Sequence, residues 1–367
     1  MAPRIEGRGY KSVPLRAMSK KPSKGILLIN LGTPDSPSVA DVRRYLVEFL
    51  TDGRVIDIPA WRRNLLVRGI IAPFRAPKSA KLYQAIWDEK TGSPLLYYSE
   101  LQQRLLQERL GDEYHVELAM RYQTPSIASA LAKLKPMNLE RIRVIPLFPQ
   151  YASASTGSVI DKVMKLMRKW HTFPEVSFVN DFYDNEAMIE VFVENALKQN
   201  PETYDHVLFS YHGLPVRQLT DVEVSGTHDC EKAGCREHIA VHNRYCYLAQ
   251  CYATTRLLAQ RLQLSPEGYT VCFQSRLGKT PWIQPYTSDV LEDVAAKGKK
   301  RLLVFCPAFV SDCLETIYEV GTEYATEFKN LGGEHVQLVE SLNAHPLWID
   351  GLQQLATESS VSRGIHS

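Results

Sequence analysis

Two segments concentrate the residue types that proton transfer and metal chemistry need. The first, Leu208-Phe-Ser-Tyr-His-Gly-Leu-Pro215, delivers His212 at the end of an apolar run, where Gly213 and Pro215 force a turn. An imidazole held there can take a proton near neutral pH or coordinate a metal. A hydrogen-bonded histidine capping a sheet fits the same pattern. The second segment is Ala308-Phe-Val-Ser-Asp-Cys-Leu-Glu-Thr-Ile-Tyr-Glu-Val-Gly-Thr-Glu323. Ser311 is the expected N-cap, and Asp312, Glu315, Glu319 and Glu323 recur at helical spacing, so they fall in one stripe. Like charges so spaced repel, which makes the row costly unless cations visit it. Glu323 alone reads as an ordinary solvated residue. His212 and Glu315, from neighbouring strand ends, would form an N/O pair suited to a divalent first-row metal such as Fe(II).

Three further segments carry weaker signals. Pro149-Gln-Tyr-Ala-Ser-Ala-Ser-Thr-Gly-Ser158 opens a helix with small residues and free N–H groups, which suits an anionic group or a plain N-terminal cap. Arg121-Tyr122, directly after a strand, can add a cation and an aromatic face to the same cleft. Between Pro59 and Pro77, Trp61, Leu65, Leu66, Ile70, Ile71 and Phe74 interleave with Arg62, Arg63, Arg68 and Arg75. Such a segment suits a lip touching membrane headgroups or admitting a greasy, acidic substrate, or else a surface helix packed on the core.

The cysteines form the last group. All seven lie between Cys230 and Cys313, and Cys230-x4-Cys235 and Cys246-x4-Cys251 stand beside His228, His238 and His242. That density suggests a zinc or iron–sulfur site with Cys230, Cys235, Cys246 and Cys251 as candidate ligands. Residues five apart on one helix point well away from each other, so Cys251 also reads as a small core residue. Cys272 and Cys306 fall inside strands and read as buried hydrophobes.

The elements that must position these residues alternate along the chain. Strand candidates are Gly25–Leu31, His115–Met120, Ile142–Phe148, Val176–Val179, His206–Tyr211, Tyr269–Gln274 and Leu302–Pro307. Several are apolar on both faces, as parallel strands covered by helices are. Helical patterns fill the gaps: Val39–Leu50, Ser99–Leu110, Gly157–Trp170, Ala187–Lys198, Ala253–Leu262 and Asp312–Asn330. This is an α/β pattern with parallel sheets. Leu28-Ile-Asn-Leu-Gly32-Thr-Pro34 and Phe209-Ser-Tyr-His-Gly213-Leu-Pro215 end alike, which hints at two related halves with a cleft between their strand ends.

A length of 367 residues favours two domains. The expected division is a basic leader or tag over 1–23, domains over 24–175 and 176–342, a C-terminal helix packing back over 343–356, and a tail over 357–367. A net charge of +2 is too balanced for a nucleic-acid coat protein. No apolar run is long enough to span a membrane, and nothing speaks to oligomeric state. Clustered cysteines, odd in number, and the lack of a signal-peptide core point to reduced thiols in the cytoplasm. Dinucleotide, P-loop and nucleophile-elbow motifs are all missing.

Taken in order, Ile29–Pro34, Thr91–Pro94, Met120–Tyr122, Pro149–Gly157, Ser210–Pro215, Phe273–Arg276 with Pro281-Trp282, and Ser311–Thr316 resemble the motifs of ferrochelatases, bacterial-type members of the class II chelatases. The resemblance runs from about Lys24 to Leu355. It implies two Rossmann-like domains around a porphyrin cleft and a lyase that inserts Fe(II) into protoporphyrin IX, the last step of haem synthesis. It also implies His212 and Glu315 as the catalytic and metal-site pair, with Asp312 and Glu319 as the acidic row. Arg121, Tyr122, Tyr151 and Trp282 would face the porphyrin. Iron and porphyrin are then substrates, and no cofactor is required for the chemistry. Animal members hold a [2Fe–2S] cluster through a C-terminal cysteine extension, and no cysteine follows Cys313 here. A cluster or zinc in this chain would have to come mostly from the Cys230–Cys251 stretch. Alternatives are a coproporphyrin or other tetrapyrrole chelatase, and more remotely a non-catalytic iron–sulfur or zinc sensor. Peripheral contact with the cytoplasmic membrane face through Trp61–Phe74 is the expected mode of substrate access.

Overall fold

The structure, a computed structural model, describes residues 21–220, 228–276 and 280–358. The expected leader, as far as residue 20, and the tail beyond residue 358 lie outside the described residues. The strands are β1 (Lys24–Gly32), β2 (Tyr114–Tyr122), β3 (Arg141–Pro146), β4 (Glu175–Phe178), β5 (His206–His212), β6 (Tyr269–Gln274), β7 (Arg301–Phe305) and β8 (His335–Leu338). They form two four-stranded sheets, ordered β2-β1-β3-β4 and β6-β5-β7-β8. Every pairing is parallel. Both halves therefore use one strand permutation, and the likeness of the Gly32 and Gly213 turns is part of it, because β1 and β5 hold the same place.

The inner strands are buried along most of their length, including Ile26–Ile29 and Val207–Tyr211. Helices on both faces explain their continuous apolar runs. The four residues of β8 are all half-buried at a sheet edge, so no apolar run announces this strand. β4 pairs with β3 as far as Val144↔Phe178, so the first sheet extends past the border expected after residue 175.

Each half lends a helix to the other. The helix after β4, Glu186–Leu197, reaches the second sheet, where Phe192 packs on Phe305 with ring centroids 6.4 Å apart. The helix after β8, Pro346–Thr357, returns to the first half. There the Leu355 carbonyl accepts from Arg143 Nε at 2.6 Å, and Asp350 pairs with Arg109. Phe182 and Trp348 pack against each other at a tilt between the two exchanges, with ring centroids 5.6 Å apart. One apolar core thus runs through both halves and fixes how their strand ends face each other.

Candidate active site

His212 is the last residue of β5, in register with Gln274 of β6. The next peptide turns sharply, and Gly213 N–H donates to the Gln274 carbonyl at 2.7 Å. A Cβ at position 213 would lie 2.8 Å from that same oxygen and 3.2 Å from Trp282 Cε3, so glycine is required by close approach. Trp282, expected to face the porphyrin, is buried against this turn. The His212 Nδ1 lies 2.7 Å from the Gly213 carbonyl oxygen. A carbonyl only accepts, so Nδ1 carries the proton and the lone pair of the neutral ring sits on Nε2. Tyr247 OH donates to the His212 carbonyl at 2.9 Å and holds the strand end from behind.

The acidic segment starts later than its sequence suggests. Cys313, not Ser311, is the N-cap, and Leu314–Tyr324 winds in wide π-helical turns, a form that recurs at functional sites. Asp312 therefore precedes the helix and leaves the expected row. It is buried, and its carboxylate accepts from Thr316 Oγ1 at 2.9 Å and Asn343 Nδ2 at 2.7 Å. Burial pushes its pKa up against those hydrogen bonds. Glu315 and Glu319 are half-buried, whereas Glu323 is exposed. The Glu319 carboxylate accepts from Ser275 Oγ at 2.6 Å, Gln274 Nε2 at 3.0 Å and Tyr324 OH at 3.1 Å. Burial pushes Glu319 up and the Glu315 charge adds to it, while the Ser275 hydrogen bond and nearby His212 oppose the rise. Glu315 and His212 both therefore lie close enough to Glu319 to bias its charge, in opposite directions.

The first half contributes a second network. Arg121, at the end of β2, pairs with Asp52 and donates through Nε to Ser158 Oγ at 2.7 Å. Its guanidinium lies 4.5 Å from the centre of the Tyr122 ring. Tyr122 departs from its expected place. It is fully buried, with its hydroxyl donating to Asp52 at 3.0 Å, so its ring belongs to the core and presents no face to a ligand. Burial would raise the pKa of Asp52. Hydrogen bonds from Ser158 and the Arg54 N–H, then Arg121 and Tyr122, hold it below the usual carboxylate range. Nothing in the run Thr51-Asp52-Gly53 marks this residue; it reads as a turn, and only the fold brings Arg121 to it. Tyr151 is half-buried, and its N–H donates to Gln250 Oε1 at 2.6 Å. It lines a cleft of about 440 Å³ with Gly53, Arg54, Asp57, Gln218 and Tyr245, residues drawn from both halves. Arg217 clamps Asp57 across that boundary.

The cysteine stretch assembles a different set from the expected one. His228, Cys230, Cys235 and Cys246 bring their ligand atoms within 4.8 Å of one another. Cys251 is not among them. It lies inside the Tyr247–Arg261 helix, completely buried, where burial pushes its thiol well up. The signal for His228 was its place two residues before Cys230, but the repeated C-x4-C spacing drew attention to Cys251 instead.

In the segment between Pro59 and Pro77, Trp61, Leu65, Ile70 and Phe74 are 66%, 69%, 55% and 73% exposed. Arg62, Arg68 and Arg75 are exposed among them, while Arg63 is tied by its guanidinium to the carbonyls of Thr51, Ile56 and Ile58. Among the described residues, no helix is long and apolar enough to cross a membrane.

A solved structure, SirB from Bacillus subtilis with Fe3+, aligns over 91% of this chain and 96% of its own at 12% identity, with a TM-score of 0.48, too loose a match to bear on function. Sequence relatives are much nearer. The protein named Ferrochelatase from Legionella pneumophila (strain Lens) is 46% identical over 335 residues, 91% of this chain and 99% of that one. Ferrochelatase from Coxiella burnetii (strain Dugway 5J108-111) is 43% identical over 361 residues, 96% of this chain and 98% of that one. The family model for ferrochelatase matches residues 23–360, from the strand before the first glycine turn to the last helix, and on these matches the chain belongs to the ferrochelatase family.

Proposed function

We propose that this enzyme inserts Fe(II) into protoporphyrin IX, giving protohaem and releasing two protons. The observation that carries the reading is the His212 Nδ1–H held by the Gly213 carbonyl, which leaves Nε2 basic beside Glu315 and Glu319. Metal insertion must remove two pyrrole N–H protons and strip water from the iron. Nε2 can accept one such proton, or offer its lone pair to the incoming metal. Glu319, whose carboxyl is raised by burial, holds a proton more readily than an exposed carboxylate and can receive it next. Glu315, half-buried in the first turn of the same helix, can exchange with the water ligands of the iron. On this reading iron and porphyrin are both substrates, and the chemistry needs no resident cofactor. The greasy, acidic porphyrin would enter past Trp61–Phe74, seated at the cytoplasmic face of a membrane, where exposed apolar side chains meet acyl chains and arginines meet headgroups.

Anaerobic metallation with Fe(II), Co(II) and Zn(II), each against protoporphyrin and coproporphyrin, tests the reading. Turnover of Fe(II) with protoporphyrin is expected. Preference for coproporphyrin would move the substrate assignment, and failure to metallate either would overturn it.

A further inference from the structure

We propose that Ser210 and Thr287 are positioning residues for the metallation step: their buried hydroxyls lock the Gln274 amide in the orientation that holds Glu319 and the start of the acidic helix. The inference rests on the role given above to Glu319 and extends it to two residues buried away from solvent. Gln274, the last residue of β6, is the link between them. Its side-chain Nε2 donates to the Glu315 carbonyl at 3.1 Å and to Glu319 Oε2 at 3.0 Å. A carbonyl and a carboxylate only accept, so the NH₂ end of the amide must face the helix. Oε1 then faces Ser210, whose hydroxyl donates to it at 2.7 Å. Every polar atom of this buried amide is thereby partnered.

The chain of hydroxyls continues behind Ser210. Thr287, the first residue of the helix Thr287–Ala296, places Oγ1 3.2 Å from Ser210 Oγ. Ser210 has committed its one proton to Gln274, so it is the acceptor here and Thr287 the donor. The Thr287 hydroxyl also reaches Tyr324 OH, which itself donates to Glu319 at 3.1 Å. Two routes therefore run from Thr287 to Glu319, one through Ser210 and Gln274 and one through Tyr324. Along both, the protons point toward the carboxylate.

The sheet does not ask for this hydroxyl. Ser210 stands three residues before Gly213, and the matching residue before Gly32 in the first half is Ile29, which is equally buried. β1 and β5 hold the same place in their sheets, so an apolar side chain serves the fold at this position. The serine answers to Gln274 instead. Without it, Oε1 would keep only the Cys306 thiol at 3.9 Å, a weak donor. A buried amide oxygen left in that state is unfavourable, and nothing then pins the NH₂ end against the helix. The backbone carbonyl of the same residue takes the Gly213 N–H at 2.7 Å, so a displaced Gln274 also disturbs the His212 turn. The loss falls on the groups that move protons and meet iron, while Arg121 and Tyr151 in the other half keep their contacts.

The test is anaerobic metallation of protoporphyrin with Fe(II) by the full chain, read as kcat and KM separately. Ser210→Ala should lower kcat about tenfold and Thr287→Val about threefold, with KM for porphyrin within about twofold of wild type. Thr287→Ser, which keeps the hydroxyl, should restore kcat to within about twofold. Val290→Ala trims a buried side chain of the same helix outside this network, so it should lower the unfolding midpoint and leave kcat unchanged. A double-mutant cycle then asks whether Ser210 acts through Glu319: in a Glu319→Gln background, Ser210→Ala should cost less than about twofold more. A full additive loss in the cycle, a rise in KM alone, or Thr287→Ser as impaired as Thr287→Val would each overturn the inference. So would a kcat loss in Val290→Ala equal to that in Thr287→Val. Glu319→Gln with full turnover would instead overturn the role of Glu319 on which the inference rests. The two Thr287 variants decide the matter if Ser210→Ala fails to fold.

Discussion

The imidazole of His212 donates its Nδ1–H to the carbonyl of its own neighbour, Gly213, across 2.7 Å. The turn that presents the histidine also chooses its tautomer, so the lone pair of the ring is left on Nε2. On the proposed function, removing the imidazole takes away the group that accepts the pyrrole proton or meets the metal. His212→Ala should lower metallation by about 10²- to 10⁴-fold while porphyrin binding, followed by fluorescence quenching, stays within a few-fold. Near-normal turnover would place the proton acceptor elsewhere.

The same turn gives a second, purely steric prediction. In Gly213→Ala the new methyl must displace the Gln274 carbonyl or the Trp282 ring. Gln274 also donates to Glu319 and to the Glu315 carbonyl, so the shift is passed directly to the acids. Activity should fall about tenfold or more, with about 1–3 kcal/mol lost in denaturant unfolding. A variant with wild-type stability and turnover would show that the turn relaxes freely.

Glu319 carries a pH signature whose sign follows from its burial. Its folded pKa is raised, so the folded state binds the proton more tightly than the unfolded chain does. Stability then falls as pH rises from the unfolded value of about 4.3 through the raised folded value, and the penalty is complete above both. Glu319→Gln should melt higher than wild type at pH 7–8, with the gap closing at acid pH, while metallation falls. Glu323→Gln, exposed at the far end of the row, should change neither. If the two variants lose activity equally, the row works as one electrostatic unit and proton transfer through Glu319 is wrong.

The residues that could be found without a structure were those that punctuation betrays. Gly213 and Pro215 end the β5 run just after His212, so the turn shows in the letters. Asp312 misled, because its spacing from Glu315 assumes helical turns that begin only at Leu314; the chain ahead of that point bends toward Asn343 instead. Tyr122 misled differently: its ring is packed in the core and its hydroxyl is spent on Asp52, the same carboxylate that holds Arg121. The strand permutation repeated in the two halves was visible only as two short turn motifs. Edge strand β8 alternates polar and apolar residues from His335 to Leu338, but four residues are too short a run to announce a strand.

Asp52 is the residue that only the fold reveals. It holds Arg121, Tyr122 and Ser158 together, and those contacts keep its carboxyl below the ordinary range. A depressed carboxyl contributes stability above its unfolded pKa, about 3.9, and loses it as pH falls through the folded value. Asp52→Asn should cost about 3 kcal/mol at neutral pH, because it leaves a nearly buried guanidinium without its counter-charge. The difference from wild type should shrink in acid. An unchanged unfolding midpoint would mean that Arg121 finds another partner.

The lip offers the most direct test of how substrate arrives. Trp61, Leu65, Ile70 and Phe74 are more than half exposed, and Arg62, Arg68 and Arg75 stand among them. Apolar area and cationic charge both contribute to interfacial binding, and they respond to different variables. Salt shortens the Debye length from about 10 Å at 0.1 M to about 3 Å at 1 M, so it weakens the arginine contribution and leaves the apolar one. The protein should co-sediment with anionic liposomes at low salt and release partly at 1 M salt. Leu65→Ser with Phe74→Ser should weaken binding at both salts, whereas Arg68→Gln with Arg75→Gln should weaken it only at low salt. None of these four side chains is part of the His212–Glu319 group, so metallation of detergent-dispersed porphyrin should stay at the wild-type rate. Metallation of porphyrin supplied in liposomes should fall. If the wild-type chain does not sediment with anionic liposomes at low salt, the lip is a substrate gate in solution and the membrane reading fails.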